Sequence, residues 1–278
     1  MLLFSLKNFL FLGSFAGMGV RGGAGRLGSR AIISPSGCPS YYLIGARGTG
    51  EAQTTGSIAY NKLYQKVMAA IPGGAKEELT YSSSADYTIT VSQGSQTEVR
   101  FMTDQLSKCP QTVFVLVGYS KGVSEAKSHA PLYNFDIGPD INFRNFRANS
   151  PEQAMVTTQT LINKSIPQDK IAAVALFGNP YFTPGLPQDK CGAVSFFRNP
   201  LRIPIDGADT TGVGSAAIAG LKIPDGLADR VYDCCVPGDS VCQTFGTIIA
   251  HLSYSGQPQE DATQFVIQKL KARIAVAN

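Results

Sequence analysis

Thr112-Val113-Phe114-Val115-Leu116-Val117-Gly118-Tyr119-Ser120-Lys121-Gly122 runs from an almost wholly apolar stretch straight into a G-x-S-x-G turn. An uncharged, valine-rich run of this length reads as a central parallel strand covered on both faces. Gly118 and Gly122 suit a sharp strand-to-helix turn in which side chains would crowd, and the turn lifts Ser120 above the sheet as a nucleophile. A glycine-rich surface turn can carry the same letters. The strand before it and the helix-compatible stretch after it favour the first reading.

Outward from this segment, strand and helix patterns alternate. Apolar β-type runs occupy Tyr41–Ala46 and Ile171–Phe177, with weaker ones at Leu79–Ser82 and Arg230–Asp233. Helical patterns fall between them, at Ile58–Ala70, Ser92–Leu106, Glu152–Ile162 and Glu260–Val276. The expected fold class is therefore α/β: a doubly wound, mostly parallel five-stranded sheet with helices on both faces. No internal repeat and no linker divides residues 38–278, which read as a single catalytic domain. Pro200–Pro224 reads as a long irregular excursion.

A serine nucleophile needs a base, and the chain holds two histidines. His129 lies nine residues beyond Ser120, roughly 13 Å along a continuous helix and out of reach. His251 lies far downstream, before the last helix, and completes the chain order Ser, acid, His of α/β-hydrolases. Asp206, Asp209, Asp225, Asp229, Asp233 and Asp239 all qualify by order as the acid. Asp239 stands apart because Cys235 and Cys242 flank it closely. A bridge between them would hold that carboxylate still, worth roughly 2–3 kcal/mol on chain-entropy grounds. The alternative is that Asp239 only caps a turn.

Composition narrows the function classes. Of 24 Lys and Arg, four (Lys7, Arg21, Arg26 and Arg30) precede residue 31, and the first acidic residue is Glu51. The remaining 20 basic residues equal the 20 acidic ones, so the body is neutral and offers no basic footprint for nucleic acid. Residues 1–20 pair Lys7 with the uncharged stretch Phe9–Val20, too short to span a bilayer and suited to a secretory signal. An N-terminal anchor or a buried helix is the alternative. Small residues allow cleavage after Ala16 or Ala24, and 21–37 reads as a flexible arm or propeptide. Six cysteines without C-x2-C spacing favour disulfides over metal, with 15 possible connectivities for six. Asn163-Lys164-Ser165 is a glycosylation sequon.

Five segments in this order resemble the cutinase-like serine esterases, a group that includes acetylxylan esterases. They are Ala46-Arg47-Gly48-Thr49-Gly50-Glu51, Gly118–Gly122, Ala175-Leu176-Phe177-Gly178-Asn179-Pro180, the C-x3-D-x2-C of Cys235–Cys242, and His251-Leu252-Ser253-Tyr254. Together they cover about residues 38 to 276. The resemblance implies a triad of Ser120, Asp239 and His251, with no cofactor and no metal. It implies an oxyanion hole from Thr49 and the backbone N–H of Lys121. It also implies bridges Cys38–Cys109 and, as what remains, Cys191–Cys234.

The chain departs from the family in three places. Lys121 stands where Gln is frequent, residues Pro131–Pro151 form an insertion, and the Pro200–Pro224 excursion is a further addition. The insertion carries Leu132, Tyr133, Phe135, Ile137, Ile141, Phe143 and Phe146, either as a rim over the site or as packing against the body. The expected protein is a secreted monomer that cleaves aliphatic esters or cutin-type polyester at a waxy surface through an acyl-enzyme. The alternatives are a carbohydrate O-acyl esterase and a non-catalytic lipid- or surface-binding relative.

Overall fold

A computed structural model describes residues 37–84, 87–120, 156–191, 222–243 and 246–277. The leader, the arm before Gly37, Lys121, His129, the 131–151 insertion and the excursion up to residue 221 lie outside the described residues. In chain order the elements are β1 (Tyr41–Ala46), α1 (Asn61–Ala70), β2 (Gly74–Glu78), α2 (Tyr87–Lys108) and β3 (Val113–Tyr119). They continue with α3 (Val156–Leu161), β4 (Ile171–Phe177), β5 (Asp189–Cys191), β6 (Val231–Cys234), the single turn α4 (Ile248–His251) and α5 (Gln257–Ala277).

The sheet has six strands in the order β2-β1-β3-β4-β6-β5, paired in parallel throughout. The expectation of five strands is thus one short. β5 is only three residues long and contains Asp189 and Lys190, so it carries no apolar run to read. The weak strand expected at Leu79–Ser82 is also displaced, because β2 is Gly74–Glu78. As an edge strand it is only half-buried and needs no apolar alternation. Leu79 and Tyr81 are buried, but their carbonyls accept hydrogen bonds from the Arg47 guanidinium rather than from a strand.

Alternation along the central strands sorts side chains into two layers. Val113, Val115, Val117 and Tyr119 of β3 join Ala173, Ala175 and Phe177 of β4 on one face. That face is covered by Leu63, Tyr64 and Val67 of α1 and by Ala262, Val266 and Leu270 of α5. On the other face, Phe114, Leu116, Val174 and Leu176 meet Val91 and Met102 of α2 and Val156 and Leu161 of α3. The four-residue spacing in α5 is one stripe of a 3.6-residue helix. Each buried Val, Leu, Phe or Met among them contributes about 1.5–3 kcal/mol.

The chain turns back on itself in this sheet between β1 and β3, since β2 lies to one side of β1 and all later strands to the other. A crevice opens outside the strand ends at such a switch point, where α/β sheets bind their ligands. Ser120 directly follows β3 there, and Thr49 follows β1 by three residues. Three bridges tie the framework: Cys38–Cys109, Cys191–Cys234 and Cys235–Cys242. Cys191–Cys234 joins register partners of β5 and β6, holding the short edge strand in place.

Candidate active site

Ser120 has φ +50°, the only positive φ at a non-glycine among the described residues. An L-residue held in this region costs roughly 1–3 kcal/mol, so its surroundings must over-determine it. One constraint is the Ser120 N–H, which donates to Phe177 O on β4 at 2.9 Å. The strained turn aims Ser120 Oγ at His251 Nε2, 2.5 Å away.

His251 closes the turn α4. Thr247 caps that turn, its Oγ1 accepting from Ala250 N at 3.2 Å. The Thr247 N–H donates to Gly238 O at 2.7 Å, which fixes the histidine turn to the loop carrying Asp239. His251 Nδ1 lies 2.9 and 2.8 Å from the two Asp239 oxygens. Asp239 is fully buried, and its Oδ1 also accepts from Val241 N at 2.8 Å. The Cys235–Cys242 bridge closes this loop at a Cα separation of 5.8 Å.

Two of the other candidate acids, Asp233 and Asp229, are engaged elsewhere. Asp233 Oδ2 accepts from Asn179 Nδ2 at 2.9 Å. Asp229 pairs with Lys269 at 3.3 Å and lies 3.7 Å from Arg230, while Asp206 and Asp209 lie outside the described residues. Burial pushes the Asp233 carboxyl up to about 8.

Thr49 sits in a loop braced from inside. Glu51 Oε2 accepts from Gly48 N at 2.7 Å, and its Oε1 accepts from Ser57 Oγ and Ile58 N, both at 3.0 Å. Burial raises the Glu51 carboxyl above its ordinary value, opposed by these donors and by Arg47. Arg47 donates to Glu51 O at 3.0 Å and to Leu79 O at 2.8 Å, and its guanidinium lies 4.7 Å from the Tyr81 ring centre. Within this frame Thr49 Oγ1 is buried with no hydrogen-bond partner among the described residues. A hydroxyl of that kind is available for an incoming acceptor.

Sequence reading missed three contributors, although all lie inside the quoted motifs. Tyr119 stacks on His251, ring centres 5.1 Å apart, and its hydroxyl donates to His251 O at 2.9 Å. Tyr254 donates its hydroxyl proton to Asp239 Oδ2. Gly178, at φ +57°, passes so close that a Cβ there would lie 2.6 Å from His251 Cε1. They stand in Gly-Tyr-Ser, His-Leu-Ser-Tyr and Phe-Gly-Asn, but nothing in those strings signals partners that are distant in sequence.

The arrangement holds a hydroxyl, an imidazole and a buried carboxylate in one hydrogen-bonded line, the geometry of nucleophilic acyl transfer. Comparisons with known proteins agree in class. The family model described as Cutinase matches residues 37–270. Acetylxylan esterase 2 of Talaromyces purpureogenus is 24% identical over 276 residues, covering 95% of this chain and 100% of its own. Carboxylesterase Culp1 of Mycobacterium tuberculosis is 23% identical over 81% of this chain and 80% of its own. Among solved structures, a cutinase-like protein from Cryptococcus sp. superposes with a TM-score of 0.61 at 23% identity, covering 84% of this chain and 96% of that one. With the family match running through most of its length, the chain belongs to the cutinase family of serine carboxylester hydrolases.

Proposed function

We propose that Ser120, His251 and Asp239 form the catalytic triad of a secreted esterase acting on short- to medium-chain aliphatic esters and cutin-type polyester. The observation that carries this reading is the unbroken line from Ser120 Oγ through His251 to Asp239. His251 Nε2 takes the Ser120 proton as Oγ bonds to the ester carbonyl carbon. Negative charge gathers on the former carbonyl oxygen, where the Thr49 hydroxyl and, by the family resemblance, the N–H of Lys121 would stabilise it. His251 then gives the proton to the departing alkoxide, leaving an acyl-enzyme. Water, deprotonated by the same histidine, releases the acid and restores Ser120.

The aliphatic preference rests on the surface beside the histidine. Ile248, Ile249 and Leu252 flank His251 and are 42%, 75% and 52% exposed. Exposed large apolar side chains on the turn that carries the base suit acyl chains better than sugar hydroxyls. Carbohydrate O-acyl esterase is the second reading, favoured by the acetylxylan esterase among the relatives.

Export is part of the proposal: residues 1–20 act as a secretory signal, 21–37 as an arm, and 38–278 as the enzyme. Three disulfides suit an oxidising compartment, and Asn163 of the sequon is exposed. Among the described residues no helix is long and apolar enough to cross a membrane.

An organophosphonate probe should label the purified enzyme stoichiometrically. Ser120→Ala should remove both labelling and ester hydrolysis with the melting temperature little changed. Turnover by the folded Ser120→Ala protein would overturn the nucleophile assignment. In a p-nitrophenyl ester series, preference for acetyl-xylan over every aliphatic ester would transfer the function to the second reading.

A further inference from the structure

Tyr254 is almost fully buried, three residues past His251, in a position where neither the nucleophile nor the oxyanion requires it. Its hydroxyl donates to Asp239 Oδ2, one of the two oxygens facing His251 Nδ1. The Tyr254 oxygen in turn accepts from Val236 N at 3.3 Å, so its single proton is committed to the carboxylate. It also sits 3.4 Å from Cys242 Sγ, against the bridge that closes the acid loop. The ring is held edge-on to Tyr119, Phe177 and His251 at centroid separations of 5.9, 5.8 and 6.1 Å.

We infer that Tyr254 is a positioning residue for ester hydrolysis, fixing the Asp239 carboxylate and partly neutralising it so that it orients His251. The inference deepens the triad reading above and rests on it. Asp239 is completely enclosed, and a buried carboxylate is tolerated only when its lone pairs are filled. Val241 N fills Oδ1 and Tyr254 fills Oδ2, leaving the line between the two oxygens to the histidine. A charge-assisted bond from a phenol to a carboxylate is among the stronger ones available. Burial, reinforced by the neighbouring Asp239 charge, pushes the Tyr254 phenol well above its ordinary value. The phenol therefore remains a donor across any working pH. The charged and titratable groups facing it are Asp239, His251 and Tyr119.

Tyr254→Phe tests this, because the ring contacts remain and one hydroxyl goes. With p-nitrophenyl butyrate, kcat should fall about 10- to 100-fold at unchanged KM, the scale of one bond to a charged group. The acid limb of kcat/KM should move to higher pH, since an Asp239 with one donor fewer holds the imidazolium more tightly. In an Asp239→Asn background the same substitution should change kcat by less than about twofold, because the pair acts as a unit.

An unmoved acid limb overturns the inference, whether or not kcat or thermal stability falls, since a packing role would leave the limb in place. A full additive loss in the Asp239→Asn background overturns it as well. Turnover by Ser120→Ala would instead sink the triad itself. An inert Ser120→Ala beside an unperturbed Tyr254→Phe would leave the triad standing and remove only Tyr254.

Discussion

Gly178 lies where β4 ends, in van der Waals reach of both imidazole and carboxylate. A methyl group there would stand 2.9 Å from His251 Nδ1 and 3.1 Å from Asp239 Oδ2, inside normal contact distance. Gly178→Ala should therefore lower kcat by about 100-fold, the penalty of misplacing reacting groups by an ångström. It should lower stability by about 1 kcal/mol or more, because φ +57° is a strained conformation for alanine. Steady-state kinetics and urea unfolding read the two effects separately. The sequence marked Ser120, Asp239 and His251 because each stands in a short string whose chemistry is local. Tyr119 and Tyr254 carry no such mark. Their hydroxyl bonds join residues 132 and 15 positions apart, and nothing in an apolar neighbourhood announces where a phenol will find its partner.

β1 and β4 were legible to the residue, because buried central strands are continuous apolar runs that end where they leave the core. β2 and β5 were not, because edge strands can be polar, and β5 is held by a disulfide rather than by hydrophobicity. α2 begins five residues before the expected Ser92, at Tyr87. The loop after β1 shows why the Leu79–Ser82 segment misled: its buried apolar residues answer to Arg47, a single side chain, instead of a strand. Arg47→Lys should accordingly destabilise the protein by about 2–4 kcal/mol, since one ammonium nitrogen cannot span the three carbonyls that the guanidinium reaches from three separate nitrogens while lying over Tyr81. Loosening Glu51 and Thr49 at the same time should lower kcat more than KM rises. Unchanged urea midpoint and kcat would show that the fork is dispensable.

Two carboxyls lie deep in the body, far from one another in sequence. Glu98 interrupts the buried stripe Val91, Ser95, Met102 of α2, both its oxygens enclosed and only the Thr160 hydroxyl opposing the effect of burial. Asp233 ends in a single bond to Asn179, its other oxygen without a partner among the described residues. Burial pushes each up to about 8, against about 4 for the unfolded chain. The native state then holds more protons than the unfolded state between those limits. Stability contributed by both groups is full below about pH 4 and is lost as pH rises through 8. The melting temperature should fall over that window, and Asp233→Asn with Glu98→Gln should flatten the fall while leaving ester turnover in place. A parallel decline in parent and double variant would show that other groups set the alkaline limit.

The position of the triad along the chain also sets a timetable for synthesis. The nucleophile emerges at residue 120, but acid and base wait until 239 and 251, and the helix that covers their face of the sheet ends at 277. A nascent chain ending at residue 230 has the segments of β1 to β5 and the serine turn, yet lacks β6, on which β5 pairs, and both proposed partners of Ser120. Until Asp239 and His251 have been translated, the polypeptide carries Ser120 without the partners that would take its proton. On the proposed triad, hydrolytic power waits for residues 239 and 251, so the host cell's own esters are spared while the segments before them are being made.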